Sequence, residues 1–346
     1  MASMCRPTEA KCKTKWAIMT SDAALRDKLS LSSIRAAIEK RLPSSVYSAL
    51  FRRRFLADTV VDIRKMDTFE IEAFPDSGPR PWLDRPNAVD EINKRTAEPD
   101  LADKFRQWDS DGYLVLEECI AESALDSIWT AYESAIQQGR VIPEDGAGDN
   151  DPYPGRFLSP HKAVPEINRL LHNSTICDWV QKLCNRRPIP YQTIASFAGS
   201  EQAVHSDSVH MTTYPLGYMV AAWIAFEDIH EDSGPVVYYP GSHRLPYLSS
   251  RAVGIEQKST DYDEYQKKYE PAIQQLLDQE GLAPRYLTAK KGDVLLWHAN
   301  LLHGGSTRKN SQLSRKAVVC HYFLDGAISY HDLTGRQTYL ESNRVI

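Results

Sequence analysis

The fold is decided by the segment Gly292-Asp293-Val294-Leu295-Leu296-Trp297-His298-Ala299-Asn300-Leu301-Leu302-His303. Gly-Asp is typical of a turn, and the apolar run after it predicts a buried β-strand that leads towards His303. An earlier segment, His205-Ser206-Asp207, carries two further side chains that can bind a metal. Residues two apart at a strand end or in a tight turn point the same way. We therefore expect His303 to reach this pair from another strand.

Two imidazoles and one carboxylate form the facial ligand set of non-haem Fe(II) centres, which leaves the opposite coordination positions open. The sequence thus predicts a metal site made of His205, Asp207 and His303. The alternative is three polar side chains that are satisfied separately in turns. His-x-Asp alone is weak evidence, but apolar strand-like runs at residues 190–198 and 218–226 flank it.

The strand predicted at residues 217–227 has two unlike faces. Most side chains of one face are small, and they surround a single large ring, that of Trp223. This leaves room for a ligand beside Trp223. The other face is bulky, as expected under helices. The first face holds Gly217, Met219, Ala221, Trp223 and Ala225, and the second holds Tyr218, Val220, Ala222, Ile224 and Phe226.

A last core strand is predicted from Arg315 to residue 323. An Arg at this position could bind a carboxylate through two parallel hydrogen bonds. Arg308 is the second candidate, but it lies in a predicted loop, and a buried anchor should stand on a strand. An ordinary surface Arg at a strand start is the alternative for Arg315.

Four separated segments, in this order, resemble the phytanoyl-CoA dioxygenase family of Fe(II)/2-oxoglutarate oxygenases. They are residues 199–210, 223–235, Tyr239-Pro-Gly-Ser-His243 and residues 292–304. The resemblance covers roughly residues 105–326. It implies a mainly β fold with flanking helices around a double-stranded β-helix (jelly-roll, cupin-like) core. It also implies Fe(II), 2-oxoglutarate and O₂, with ascorbate as a candidate reductant.

The resemblance also implies roles for single residues. Arg315 would fix the distal carboxylate of 2-oxoglutarate, although its spacing from His303 is about one residue longer than expected of the family. Gln192, in a Tyr-Gln pair similar to that of ectoine-hydroxylase-like relatives, would lie by the cosubstrate, as would Trp223. For both, a packed core residue is the alternative. Halide-transferring relatives have a small residue in place of Asp207, so halogenation is not expected.

The remaining residues singled out near these motifs are given minor roles. His210 and Met219 are candidates for substrate contact. His321 has the strand parity of Arg315 and is expected to point into the barrel. His298 is expected beside the metal strand without binding metal. We expect purely structural roles for His243 and Asp293.

Composition is that of an ordinary globular protein of 346 residues, 42% hydrophobic and 25% charged. The net charge of −5 gives no reason to expect a nucleic-acid partner. No apolar run approaches the ~18–20 residues of a membrane span, and a cytoplasmic location is expected. The six cysteines contain no Cys-x-x-Cys pair and are interpreted as reduced thiols. Nothing indicates the oligomeric state.

The chain is divided into an N-terminal helical or extended part (1–100), an oxygenase domain (101–330) and a C-terminal tail (331–346). The first part includes a basic, helix-prone stretch at residues 31–65, which we interpret as a solvated face packed on the core rather than a membrane-surface helix. The domain has an insertion at about 247–284, with a helical region at 262–277 that Pro271 should break or kink. This insertion and the loop at 141–156 are candidate lids, with plain surface loops as the alternative.

The expected function is hydroxylation, or another oxidation, of a small organic substrate, with release of succinate and CO₂. We favour a specialised metabolite as the substrate. An acyl-CoA 2-hydroxylase is the alternative. A hydrolytic or non-catalytic cupin-like metal-binding barrel is a more remote alternative.

Overall fold

The computed structural model describes residues 80–144, 151–255 and 262–334 and the backbone of residues 336–337. The strands are β1 Tyr113–Leu116, β2 Phe157–Leu158, β3 Pro188–Ser196, β4 Thr212–Tyr214, β5 Met219–Ala225, β6 Val236–Tyr238, β7 Arg285–Tyr286, β8 Val294–His298, β9 His303–Gly305, β10 Ala317–Leu324, β11 Ile328–His331 and β12 Arg336–Gln337. The α-helices are α1 Ala88–Arg95, α2 Pro99–Asp111, α3 Glu122–Gln137, α4 Pro165–Leu171, α5 Ser174–Cys184, α6 Tyr262–Glu264 and α7 Glu270–Glu280.

The strands form three antiparallel sheets. The largest has six strands in the order β1-β8-β5-β10-β3-β2, and the two smaller sheets have the orders β12-β11-β4 and β7-β6-β9. At the centre of the large sheet, Trp223 of β5 lies opposite Leu295 of β8 and Val319 of β10. The strands predicted at residues 190–198, 218–226, 294–297 and 315–323 are confirmed as β3, β5, β8 and β10, with ends shifted by one or two residues.

The two faces of β5 pack into separate hydrophobic clusters, as their sequence predicts. Val220 and Ile224 lie in the outer cluster, where the helices α2, α3, α4 and α5 cover the large sheet. Met219, Ala221 and Trp223 lie in the inner cluster, together with side chains of β6 and β8. The space between the sheets is therefore lined by small residues and a few aromatic rings.

Of the two outcomes predicted for the helical region at Pro271, a break or a kink, the break does not occur. The chain runs from α6 through a π-helical turn, Tyr265–Tyr269, directly into α7. A proline removes one backbone hydrogen bond and its ring clashes with the carbonyl four residues earlier. The wider π turn relieves both effects because it changes the hydrogen-bond spacing just before the proline.

The N-terminal part of the described chain packs onto the core. Trp82, Leu83 and Ile92 are buried in the outer cluster. The basic stretch at 31–65 lies outside the described residues, and the division into 1–100, 101–330 and 331–346 stays a prediction. Cys119, Cys177, Cys184 and Cys320 are free thiols. In the described parts of the chain, every helix is too short or too polar to cross a membrane.

Gly112 ends α2 and provides a specific test of the packing. Its φ of +76° is in the left-handed region, and a Cβ there would lie 2.4 Å from Nδ1 of the buried His243 ring. Gly139 follows α3 with a φ of +67°, but a Cβ there would meet nothing within 4 Å. The two glycines share the backbone strain and differ in the steric clash.

We therefore expect Gly112→Ala to lower the free energy of unfolding by about 2–4 kcal/mol, because left-handed strain adds to overpacking. Gly139→Ala should cost only about 1 kcal/mol, since strain alone acts there. Urea denaturation of both variants measures the difference. Equal losses in the two variants would contradict the packing of His243 on Gly112.

Candidate metal site and adjoining cavity

His205 and His303 are held together by their own backbones. They form an antiparallel bridge in which the amide of each residue donates to the carbonyl of the other, at 2.9 and 3.0 Å. His303 is the first residue of β9. As predicted, the third side chain of the set therefore comes from a strand other than the segment that carries His205 and Asp207.

Asp207 begins a tight 3₁₀ turn, Asp207–Val209. The Ser206 hydroxyl caps this turn by accepting the Ser208 amide at 3.2 Å, and its single O–H has two acceptors in reach, the Ala299 carbonyl at 3.0 Å and the Asn300 side-chain oxygen at 3.1 Å. The Asn300 amide in turn donates to the carbonyls of His243 and Leu245. The turn is thus fixed to the loop between β8 and β9, which leads to His303.

Three potential ligand atoms converge inside the protein. Asp207 Oδ1 lies 3.7 Å from Nε2 of both His205 and His303. Nδ1 of His205 is 2.9 Å from the Ala203 carbonyl, and Nδ1 of His303 is 2.8 Å from the Leu301 carbonyl. A proton on Nδ1 satisfies these contacts and leaves each Nε2 with a lone pair that can bind a metal. This is how proteins orient histidines for metal binding.

Burial and neighbouring charges set the protonation of this cluster. Burial lowers the pKa of His303 to about 4, which favours the neutral imidazole that a metal requires. Burial alone would raise the pKa of Asp207, but the imidazoles of His303, His205 and His321 hold that pKa well below its ordinary value. The cluster therefore combines an ionised Asp207 carboxylate with a neutral His303 imidazole, and its three side chains offer a donor set that fits a divalent cation.

Two further side chains touch the ligands, and the sequence analysis assigned neither. The indole of Trp297 donates to Asp207 Oδ2 at 2.8 Å, and its ring lies 4.6 Å from that of His303. The Gln202 side-chain nitrogen lies 3.3 Å from His205 Nε2. Trp297 belongs to the apolar run of β8, so its pattern predicted only a buried strand residue.

The ligand set opens into a cavity of about 750 Å³. Gln192, Trp223, His321 and Arg315, all placed by the sequence near a cosubstrate or the barrel interior, line this cavity. Gln192 on β3 lies directly opposite His321 on β10. The structure thus brings the three predicted metal ligands together with Arg315, Gln192 and Trp223 at one cavity.

Arg315 is a buried cation, 4% exposed. Its Nη1 donates to the Gly234 carbonyl at 2.9 Å, and its Nε has no hydrogen-bond partner. No carboxylate pairs with it among the residues that the structure describes. Burial, with a contribution from the charge of Arg308, lowers the pKa of Arg315 to about 10, so it stays charged at neutral pH. A buried charge without a counter-charge is costly, so Arg315 is a candidate anchor for an anionic ligand.

Arg308, the second candidate, is already engaged elsewhere. It pairs with Asp151 at 2.5 Å and donates to the Ser311 carbonyl at 2.7 Å. It is absent from the cavity lining in the described structure. The geometry therefore favours Arg315 over Arg308 as the anion anchor.

Of the two candidates for substrate contact, only His210 lines the cavity. Burial lowers the pKa of His210 to about 3. Met219 is fully buried in the inner cluster and does not line the cavity, because it lies at the start of β5, opposite Phe323. The expectation that Met219 faces a substrate is therefore not supported by the geometry.

The other assigned residues have structural contacts. His298 Nε2 is 3.1 Å from Asp84 Oδ2, away from the ligand atoms. His243 is buried against Gly112. Asp293 accepts the amides of Glu118 and Lys290 at 2.9 and 2.8 Å, so it stabilises the turn before β8 as expected.

Both candidate lids reach the cavity. Tyr265 of the π-helical turn and Glu270 of α7 line it from the insertion. Glu144 and Arg156, at the two ends of the other loop, form a 3.0 Å ion pair at the cavity. A role for these segments in covering a ligand stays a prediction.

Comparisons with known proteins agree with this geometry. The family described as Phytanoyl-CoA dioxygenase (PhyH) matches residues 108–317. The peroxisomal phytanoyl-CoA dioxygenase of Rattus norvegicus is 32% identical over 124 residues, 36% of this chain and 33% of that protein. The ectoine dioxygenase of Bordetella bronchiseptica is 24% identical over 219 residues, 60% of this chain and 70% of that protein. The matched region thus spans about a third of the rat enzyme's length.

Among solved structures, the non-heme α-ketoglutarate-dependent carbocyclase SnoK from nogalamycin biosynthesis is similar with a TM-score of 0.54 and 17% identity. The match covers 72% of this chain and 95% of SnoK. At this identity the likeness concerns the fold. The predicted double-stranded β-helix core with flanking helices is confirmed.

The convergence of His205, Asp207 and His303 predicts divalent metal binding. Replacing any one of them by Ala should weaken Mn(II) binding at least tenfold, because one of three protein ligands is lost. The matched control is His172→Ala, which removes an exposed imidazole at the end of α4. Electron paramagnetic resonance of free Mn(II) measures the affinities. Wild-type affinity in Asp207→Ala would contradict the site.

Proposed function

Because the chain belongs to the phytanoyl-CoA dioxygenase family, we propose that it is an Fe(II)- and 2-oxoglutarate-dependent dioxygenase that oxidises a small organic molecule. One observation carries this proposal. A three-residue metal ligand set and a buried, charged Arg315 without a counter-charge face the same cavity. A cosubstrate that chelates a metal at one end and carries a carboxylate at the other matches both features.

His205, Asp207 and His303 would hold the iron and leave its opposite face towards the cavity. Bound iron, with 2-oxoglutarate, would supply the activation of O₂ and the oxidation of the substrate, with succinate and CO₂ as coproducts. The chain's own contribution is to fix the ligands and exclude water. Asp207 also fills the position that a halide would need, which supports oxidation rather than halogenation.

Arg315 would bind the distal carboxylate of 2-oxoglutarate through its fork of N–H donors. Its Nε is a buried donor with no partner in the described structure, so a bound carboxylate would satisfy both its charge and its hydrogen bonding. Trp223 lies beneath it, with the guanidinium carbon 5.9 Å from the ring centroid. Gln192 on β3 offers an amide from the adjoining wall.

The lining of the cavity supports a small organic substrate over an acyl-CoA. Arg156 and Arg315 are its only Lys or Arg side chains within the described structure. Arg315 is assigned to the cosubstrate, and Arg156 is paired with Glu144. Several phosphate charges of CoA would need more cations than this. The remaining wall is aromatic and imidazole-rich, with Tyr265 and His210 in contact at 5.2 Å between ring centroids.

The hydrolytic and non-catalytic alternatives are less well supported. A metal hydrolase would not need a buried, unpaired arginine in the same cavity. A non-catalytic barrel would not be expected to keep all three ligands in a metal-binding geometry. We propose the specialised-metabolite class for the substrate, and the cytoplasmic location and the absence of nucleic-acid partners stay predictions.

Succinate release that depends on added Fe(II) and 2-oxoglutarate tests the activity. Arg315→Ala should raise the KM for 2-oxoglutarate about tenfold or more, since a buried charged hydrogen-bond pair is worth about 1.5–3 kcal/mol. Arg308→Ala should leave this KM near the wild-type value, because Asp151 and Ser311 already occupy its guanidinium.

Three results would count against the proposal. Absence of succinate release by iron-loaded protein across a panel of small organic substrates would contradict the activity. A raised KM for 2-oxoglutarate in Arg308→Ala, with an unchanged KM in Arg315→Ala, would show that Arg308 is the anchor. Release that persists without 2-oxoglutarate would exclude this cosubstrate.

A further inference from the structure

Trp297 contacts two of the three metal ligands. Its indole N–H donates to Asp207 Oδ2 at 2.8 Å, and its ring packs at 4.6 Å against that of His303. The side chain is buried, with 3% of its surface exposed, and its partner Asp207 is also buried. A hydrogen bond to a charged acceptor in such surroundings is strong.

The two oxygens of Asp207 are in different environments. Oδ1 lies at 3.7 Å from both coordinating nitrogens, of His205 and His303. Oδ2 is turned to Trp297. His321 Nε2 lies at 3.9 Å from Oδ2, beyond hydrogen-bond distance, so the indole is the donor that holds this oxygen.

A carboxylate can bind a metal through one oxygen or through both. Binding through both would occupy one more coordination position. A facial set of three protein ligands leaves three positions, and a chelating cosubstrate and O₂ together need all of them. The orientation of Asp207 therefore decides whether the open face is large enough.

We propose that Trp297 is a positioning residue that keeps Asp207 a one-oxygen ligand. It holds Oδ2 away from the metal and presents Oδ1 beside the two histidine nitrogens. This inference rests on the metal site of the proposed function. In this role Trp297 acts through Asp207, whose outer oxygen it holds.

Trp297→Phe tests the role because it keeps an aromatic ring beside His303 and removes the N–H. Trp129→Phe is the matched control. The Trp129 indole also donates to a carboxylate, that of Glu133 at 2.9 Å, and it is similarly buried, but on α3 in the outer cluster. Each variant removes one indole–carboxylate hydrogen bond. Trp297→Phe removes it at the metal site, and Trp129→Phe removes it away from the metal site.

We expect Trp297→Phe to weaken Mn(II) binding about tenfold, the lower end of the effect of removing a partner of a metal ligand. At saturating Fe(II) without oxygen, it should also reduce the visible charge-transfer band that chelated 2-oxoglutarate gives, because Oδ2 is free to bind the metal. Trp129→Phe should match the wild type in both measurements. Electron paramagnetic resonance and absorption spectroscopy provide the readouts.

Wild-type Mn(II) affinity and an unchanged band in Trp297→Phe would overturn the proposal. Failure of the proposed function is a different result, in which the wild-type protein itself binds no Mn(II) or gives no band. A general packing defect is excluded when Trp297→Phe has the circular dichroism spectrum and melting temperature of Trp129→Phe.

If Trp297→Phe does not fold, Trp223→Phe with ¹⁵N-labelled indoles replaces it. Zn(II) should then shift one slowly exchanging indole N–H resonance, that of Trp297, because its acceptor becomes a metal ligand. Within the described structure, Trp223 is the second indole that lines the cavity, and Trp223→Phe removes it. No shift of any indole resonance on saturation with Zn(II) would overturn the proposal.

Discussion

The backbone bridge between His205 and His303 is the interaction on which the site depends. Its two hydrogen bonds, at 2.9 and 3.0 Å, join segments that are far apart in the chain and place both imidazoles on one side of the barrel wall. Because each Nδ1 is also bound to a carbonyl two residues earlier, neither ring is free to turn. Asp207 then needs only a tight turn to bring Oδ1 between the two coordinating nitrogens.

The barrel makes this arrangement chemically useful by burying charges that are only partly compensated. The Asp207 carboxylate receives one indole N–H, and the Arg315 guanidinium donates to one carbonyl. Removing such groups from water is costly unless partners replace the water. A cation bound at Asp207 and an anion bound at Arg315 would supply those partners. The same partly compensated charges would therefore favour the binding of a metal and a dicarboxylate.

The strand pattern made part of the site predictable, because alternate side chains of a strand point to opposite faces. The parity of β5 separated Val220 and Ile224 from Ala221 and Trp223, and the same reasoning placed His321 of β10, and Arg315 two residues before that strand, towards the cavity. The alternation within one strand does not predict which side chains of different segments touch each other. The bond from Trp297 to Asp207 depends on the pairing of β8 and on the turn after Ser206. Met219 shares the inward face of β5, but its position at the strand end keeps it from the cavity.

The central claim is that one cavity holds a metal at His205, Asp207 and His303 and a dicarboxylate that reaches Arg315. A crystal structure grown without oxygen, with Fe(II) and 2-oxoglutarate, tests it most directly. The account predicts iron bound by Nε2 of both histidines and by Oδ1 of Asp207, with the distal carboxylate paired to the Arg315 guanidinium. Iron bound elsewhere, or a cosubstrate whose distal carboxylate points away from Arg315, would contradict it.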